Sequence, residues 1–344
     1  PSFWRADPEA PGLAARLLTP LGWFYAGAGR LRRGLARPQR AGAPVICVGN
    51  LTAGGAGKTP AVLAICERLA ALGAAPHILS RGYGGRLRGP HRVDPAQDTA
   101  ADVGDEPLLC GRRWPVWIGA DRRRSADAAV AAGADVLVMD DGFQNPHLHQ
   151  DLRILVIDAE VGHGNGRVIP AGPLREPIDR GLDRADAAIL VGTPPSGRVW
   201  PRTPPRGPGL RARITPDASG AALRGRRVCA FAGIGRPEKF FATLGEVGAE
   251  LVAAEAFPDH YAYNAAMLQR LEARAEALNA LLVTTEKDAA RFPAWFAGRA
   301  TVLGVTMGFE DPDAVDGLLA RLVGDRGMRR RRRAAGESFS AISP

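Results

Sequence analysis

The chain has 344 residues, 46% of them apolar and 24% charged, which is enough for a sizeable core and excludes a disordered chain or a small disulfide scaffold. Its four cysteines lie far apart without CxxC spacing and read as buried thiols of a reducing compartment rather than zinc ligands. The net charge of +9 gathers at the two ends: seven Arg against Asp7 and Glu9 in residues 1–40, and the arginine run 329–333. The body between is nearly neutral, which argues against a nucleic-acid partner and for an anionic membrane surface, two solvated basic tails being the other reading.

Between Arg16 and Arg30 lie thirteen uncharged residues that include Trp23, Phe24 and Tyr25. The stretch is too short to cross a bilayer, lacks a signal-peptide cleavage site, and fits a helix lying in the headgroup region. A first helix packed on the domain core is the other reading. Short apolar runs then alternate with helical stretches: strand 45–48, helix 59–72, strand 77–79, a glycine-rich loop 80–89, strand 115–118, helix 122–132, and strands 136–139, 154–157 and 187–191. This alternation predicts a mostly parallel sheet with helices on both faces. Six prolines between Thr193 and Gly209 predict a linker, set at 192–225. Beyond it the pattern restarts with strands 228–232, 251–256, 281–285 and 302–305, and helices near 237–244, 265–278 and up to 323. The organisation expected is an N-terminal helix region 1–40, an α/β domain 41–191, the linker, a smaller α/β domain 226–325 and a basic tail 326–344.

The strongest chemical signal follows the first strand. Gly49-Asn50-Leu51-Thr52-Ala53-Gly54-Gly55-Ala56-Gly57-Lys58-Thr59-Pro60 leads into a helix, the order that surrounds a phosphate with backbone N–H groups at a helix N-terminus. Residues Thr52 to Thr59 are the expected nucleotide contacts: the glycines admit close backbone approach, Lys58 reaches the β- and γ-phosphates, and the Thr59 hydroxyl ligates Mg²⁺. The first glycine of the general pattern G-x-x-x-x-G-K-[ST] falls on Thr52. Strand 136–139 then delivers Asp140 and Asp141 to the sheet edge where open α/β sheets bind ligands, and either carboxylate suits the metal. His147 and His149 have strand spacing but no third ligand nearby, so a surface role is expected.

Several further motifs follow in order: Ser80-Arg81-Gly82-Tyr83-Gly84-Gly85, Gly104-Asp105-Glu106-Pro107, Asp140-Asp141-Gly142-Phe143-Gln144, Pro170-Ala171-Gly172-Pro173-Leu174-Arg175-Glu176-Pro177, Phe257-Pro258-Asp259-His260 and Thr284-Thr285-Glu286-Lys287-Asp288. With the phosphate loop, this set resembles the tetraacyldisaccharide 4′-kinase family over about residues 10–325. The family usually has His where Asn145 stands, so that a role for that His would move, for example to His147.

The resemblance implies a P-loop NTPase-like α/β fold with two α/β/α domains and the nucleotide between them. It also implies ATP and Mg²⁺ as cofactors, and transfer of phosphate to the 4′-hydroxyl of a tetraacyldisaccharide 1-phosphate, giving lipid IVA. The enzyme would be peripheral on the cytoplasmic face of the inner membrane, acting on its lipid as a monomer. Phosphoryl transfer needs an acceptor for the hydroxyl proton. Read alone, Asp105 is a helix N-cap and His260 a loop histidine, whereas the resemblance makes them a dyad formed when the domains close. Arg81 and Tyr83 are candidates for the acceptor sugar or its 1-phosphate, Arg175 and Glu176 for nucleotide or acceptor, and Lys287 for nucleotide or a carboxylate partner. Two rival classes remain at this point: a P-loop switch ATPase at the membrane surface, and a non-enzymatic lipid-surface module.

Overall fold

A computed structural model of the chain describes residues 1–196, 199–205 and 207–324. The arginine run 329–333 and the expected tail 326–344 lie outside the described residues. Two sheets organise the molecule. The larger has nine strands: β1 (Val45–Gly49), β2 (Pro76–Ser80), β3 (His91–Arg92), β4 (Val116–Ile118), β5 (Val136–Asp140), β6 (Leu152–Asp158), β7 (Ala187–Val191), β8 (Gly209–Pro216) and β13 (Val305–Phe309). Their spatial order is β13-β8-β7-β6-β1-β5-β2-β4-β3, parallel except for β3 and β13 at the two edges. The smaller sheet is wholly parallel, with order β10-β9-β11-β12, from β9 (Arg227–Ala232), β10 (Glu250–Ala256), β11 (Leu281–Thr285) and β12 (Thr301–Leu303).

Every residue of β1, β2, β5 and β7 is buried, as unbroken apolar runs in a sheet covered on both faces require. Ile46 and Val48 pack into the cluster under α2 (Lys58–Ala71), together with Val315 and Leu319 of α10 (residues 312–324). Cys47 points the other way, toward Phe143, Leu155 and Leu174. α3 (Ala100–Val103), α4 (Asp105–Gly111), α5 (Arg122–Ala131) and α6 (Ile178–Arg184) complete the surround of the large sheet. The small sheet is sandwiched likewise, with Val228 and Ala230 meeting the apolar face of α7 (Pro237–Glu246). Phe231 meets the α8 (Ala265–Ala277) side, where Tyr263, Phe257, Phe292 and Phe296 form an aromatic cluster. α9 (Glu286–Ala289) is a single turn at the end of β11.

Two expectations are corrected. The interval 192–225 is not simply a linker: β8 lies within it and pairs with β7, burying Leu210 and Ala212 on alternate positions. The expected strand 302–305 is two strands in different sheets. The chain leaves the small sheet after Leu303, crosses at Gly304, and returns as β13 antiparallel to β8. The outward crossing runs alongside, since Asp217 N donates to Gly304 O at 3.0 Å. A Cβ on Gly304 would stand 2.1 Å from an Asp217 carboxylate oxygen, so only glycine fits this close approach.

α1 (Gly12–Leu35) is far longer than the thirteen-residue apolar segment. It touches the body through Ala15 and Gly22, which are buried. Arg167 donates to Thr19 Oγ1 at 2.9 Å, and Arg33 pairs with Glu176 at 3.5 Å. No helix among the described residues is long and apolar enough to cross a membrane.

Candidate active site

β1 lies between β5 and β6, and the loops leaving these three strands converge at one sheet edge. The loop after β1 turns at Gly54 and Gly57, both at positive φ, and α2 begins at Lys58. It is braced from outside: Ala53 N donates to Pro173 O at 2.7 Å and Arg175 N to Leu51 O at 2.7 Å. From within, buried Asn50 accepts from Lys58 Nζ at 3.3 Å and donates to Gly54 O at 3.4 Å. The loop is therefore preorganised, with the Lys58 ammonium also 3.7 Å from Asp141. Thr59 follows as the second residue of α2.

The two β5 carboxylates have different environments. Asp141 sits at φ 52°, a left-handed conformation uncommon outside glycine, and each of its carboxylate oxygens accepts from Arg175 Nη1, at 2.9 and 3.0 Å. Asp140 is buried, and its Oδ1 has no hydrogen-bond partner. Burial, reinforced by the charges of Glu106 and Asp141 against those of Lys58 and Arg122, pushes its carboxyl up to about 7. An orphaned buried carboxylate oxygen beside a phosphate loop is what a divalent cation would satisfy. Thr59, Asp140 and Asp141 thus fit Mg²⁺. Among the described residues no group of three or more His, Cys, Asp and Glu could hold a metal alone, so phosphate oxygens and water would complete the shell.

The third component comes from the small sheet. Asp105 is the first residue of α4, and Gly104 at φ 93° takes the N-cap place that the sequence offered to Asp105. His260, at φ 59°, turns its Nδ1 to within 2.9 Å of Asp105 Oδ2. Such conformations cost of order 1–3 kcal/mol and are tolerated where the surroundings fix them. Burial alone would raise the Asp105 carboxyl, but the His260 hydrogen bond and the charges of Lys287, His260 and Arg291 outweigh it, bringing it down to about 2. His260 is raised in turn, chiefly by its hydrogen bond to Asp105. The pair is an aspartate–histidine couple spanning the two sheets.

The remaining expected residues are placed as follows. Tyr83 is exposed, its ring 6.2 Å from that of His260 and nearly edge-on. Arg81 is exposed in the same loop. Lys287 approaches Glu106 at 3.3 Å, Asp259 at 3.4 Å and His260 Nε2 at 3.4 Å, so it is a carboxylate partner. Glu176 is corrected: it is 1% exposed, with Arg184 donating to both oxygens at 2.7 and 2.8 Å and Arg33 of α1 alongside. It anchors α1 to the brace of the phosphate loop and presents no free oxygen toward nucleotide. Asn145 accepts from His147 N and Leu148 N, capping its own turn, while His147 is exposed.

Three features escaped the sequence reading. Arg122, buried at the start of α5, carries a guanidinium brought down to about 10 by burial and lies in the field of Asp140 and Asp141. Arg236, which precedes α7, and Lys239 within it bind Asp158 at the end of β6 and Glu160 just beyond, a second bridge between the sheets. Arg291 contacts Asp105 itself at 2.9 Å. Each is an arginine or lysine whose partner is distant in sequence. In a chain with 42 arginines, residue type alone marks none of them.

A strand, phosphate loop and helix, with one carboxylate closing the neighbouring strand and a second just beyond it, define a P-loop kinase fold. The family model described as "Tetraacyldisaccharide-1-P 4'-kinase" matches residues 14–323, and the chain belongs to that family. The tetraacyldisaccharide 4′-kinase of Rhodospirillum centenum is 54% identical over 325 residues, covering 94% of this chain and 96% of the relative. That of Dinoroseobacter shibae is 50% identical over 328 residues, covering 94% and 97%. Among solved structures, LpxK from Aquifex aeolicus in complex with ATP superposes with a TM-score of 0.74 at 26% identity, covering 91% of this chain and all of that one.

Proposed function

We propose that the chain transfers the γ-phosphoryl group of ATP to the 4′-hydroxyl of a tetraacyldisaccharide 1-phosphate, giving lipid IVA, at the cytoplasmic face of the inner membrane. The observation that supports this reading is the Asp105–His260 pair, in which a buried carboxylate from one sheet meets an imidazole from the other. A switch ATPase that acts on no second substrate has no use for such a pair. The 2.9 Å contact forms within one chain, which supports a monomer as the catalytic unit.

In this mechanism the N–H groups of residues 53–58 and the Lys58 ammonium hold the phosphates and neutralise charge on the transferring group. Mg²⁺, held by Thr59 with Asp140 or Asp141, would supply further charge neutralisation across the phosphates. Asp105 takes the proton of the sugar hydroxyl as its oxygen bonds to the γ-phosphorus and the bond to the ADP oxygen breaks. Held at so low a proton affinity, Asp105 is ionised until it takes the proton, which suits a transition state in which the nucleophile is little advanced and the proton moves late. His260 fixes the orientation of that carboxylate. Tyr83 and Arg81, on the loop beside His260, would meet the acceptor.

The lipid is reached through α1. Leu13, Leu17, Leu21, Phe24, Leu31 and Leu35 are all exposed, at successive spacings of three, four or seven residues, and so form one apolar stripe. Arg16, Arg30 and Arg32 flank it. Such a surface supports an amphipathic helix lying in an anionic headgroup layer. The test is transfer of label from γ-labelled ATP to the disaccharide lipid in micelles, with Lys58→Ala as control. Labelled lipid that depends on Lys58 is expected, whereas ATP hydrolysis without labelled lipid would overturn the reading.

A further inference from the structure

Arg291 follows α9, three residues beyond the Thr-Thr-Glu-Lys-Asp motif, and its side chain is 8% exposed. Its guanidinium is shared among three partners. Nη1 donates to Asp105 Oδ2 at 2.9 Å, and Nη2 donates to Gly233 O at 2.9 Å and to Asp288 Oδ1. Asp288 is fully buried, and its Oδ1 also accepts from Gly233 N at 2.9 Å and from the Tyr263 hydroxyl at 2.7 Å. Its Oδ2 accepts from Thr285 Oγ1 at 2.6 Å. Gly233 thus has both backbone groups held by the Arg291–Asp288 pair. It opens the turn Gly233-Ile234-Gly235, and a Cβ on Gly235 would stand 3.8 Å from Gly55 N in the phosphate loop.

On the Asp105 side the accounting is equally specific. Oδ1 accepts from Glu106 N at 2.9 Å, and Oδ2 accepts from both His260 and Arg291. A carboxylate oxygen has two lone-pair sites, so Oδ2 is saturated by the small sheet and Oδ1 alone keeps a free site. Without Arg291 the carboxylate would be held by Glu106 N on its own helix and by His260 alone from the small sheet, whereas a second donor from that sheet, planar and permanently charged, fixes it across the boundary.

We propose that Arg291 is the positioning residue for Asp105: it ties the Asp105 carboxylate, across the boundary between the sheets, to the Asp288–Gly233 pair that carries the glycine turn against the phosphate loop. The inference rests on reading Asp105 as the proton acceptor. It adds that the acceptor's geometry is set by the same buried pair that sets the turn, so a correctly seated turn and a correctly aimed carboxylate occur together. The charged groups facing Asp105 are His260, Lys287 and Arg291 from the small sheet and Glu106 on its own helix. Removing Arg291 leaves His260 and Lys287 to hold the carboxylate ionised, and its proton affinity rises.

The test is a set of full-length variants, Arg291→Met, Arg291→Lys, Asp105→Asn and the double variant Arg291→Met/Asp105→Asn, assayed for kcat, ATP affinity and the pH dependence of kcat. Arg291→Met is expected to lower kcat by about 10- to 100-fold, the size of one lost charge-assisted hydrogen bond, with ATP affinity held within about 2-fold. The acid limb of its kcat profile moves to higher pH. Arg291→Lys, which keeps the charge and folds without leaving Asp288 unpaired, recovers part of the loss. In the Asp105→Asn background the Met substitution has no further effect, because it acts only through that carboxylate. Arg291→Met that lowers the melting temperature but leaves kcat and its pH profile as in the parent would overturn the proposal, as would equal losses in both backgrounds. Asp105→Asn at the parental rate would overturn the proton-acceptor reading itself, a result separable from failure of Arg291 alone.

Discussion

Phe24 offers a test of the membrane reading in which folding and binding separate cleanly. Its side chain is 79% exposed on the outer stripe of α1, while the helix is held to the body from the opposite side by Ala15, Thr19, Gly22 and Arg33. Replacing it with alanine therefore removes little from the core, and the melting temperature is expected to stay unchanged. Full burial of a phenylalanine is worth about 1.5–3 kcal/mol. Scaled by the 79% that is open to solvent, immersion of Phe24 in the headgroup layer contributes roughly 1.2–2.4 kcal/mol, or about a 7- to 50-fold change in partitioning. The assay is flotation with vesicles containing an anionic phospholipid, comparing the parent with Phe24→Ala at one salt concentration. Parental partitioning of Phe24→Ala, together with loss of binding in Arg16→Ala/Arg30→Ala, would refute insertion and leave charge alone as the attraction. A melting temperature lowered by several degrees would show that the residue is packed and not presented.

Three further outcomes follow from the site. Asp140→Asn removes a buried charge whose Oδ1 has no partner, so the nucleotide-free protein should melt no lower than the parent, while the extra stabilisation by ATP with Mg²⁺ disappears; thermal melts with and without Mg²⁺ check both. Gly49→Ala places a methyl group 2.6 Å from Phe143 Cβ, displacing the loop that carries Asp140 and Asp141, and should cost about 1–3 kcal/mol in denaturant melts. The pH dependence of His260 has a defined sign. Its folded pKa lies above 6.5, so its stabilising pairing with Asp105 is complete below that value and is lost as pH rises through the folded pKa. His260→Gln should therefore destabilise more at pH 6 than at pH 9, and an equal difference at both would contradict the raised proton affinity of His260.

The fold class was legible because a parallel sheet covered on both faces must be built from unbroken apolar runs, and 45–48, 136–139 and 187–191 are such runs. β8 and β13 were not. Each is a partner the other needs, separated by about ninety residues, and periodicity reports only the local half of such a pairing. Gly304 shows the same limit, since one residue moves the chain from one sheet to the other without interrupting the apolar pattern around it. Within the site, the phosphate loop and Asp140-Asp141 could be read because their chemistry is contiguous in sequence. Asp105 and His260 lie 155 residues apart and became a pair only through the family resemblance. Glu176 was misassigned for the converse reason: a glutamate beside a functional arginine looks available until Arg184 and Arg33 are seen to occupy it. Arg291 had no such signal, because its role depends on what two distant segments, at Asp105 and Gly233, bring to it beside the neighbouring Asp288.

The most direct test of the two-sheet active site is the Asp105→Asn variant, measured in parallel for ATP binding and for transfer of γ-label to the tetraacyldisaccharide 1-phosphate in micelles. The account predicts parental ATP affinity, because Lys58 and the phosphate loop are untouched, with transfer reduced about 10²- to 10⁴-fold. Transfer at the parental rate, or loss of ATP binding equal to the loss of transfer, would contradict it.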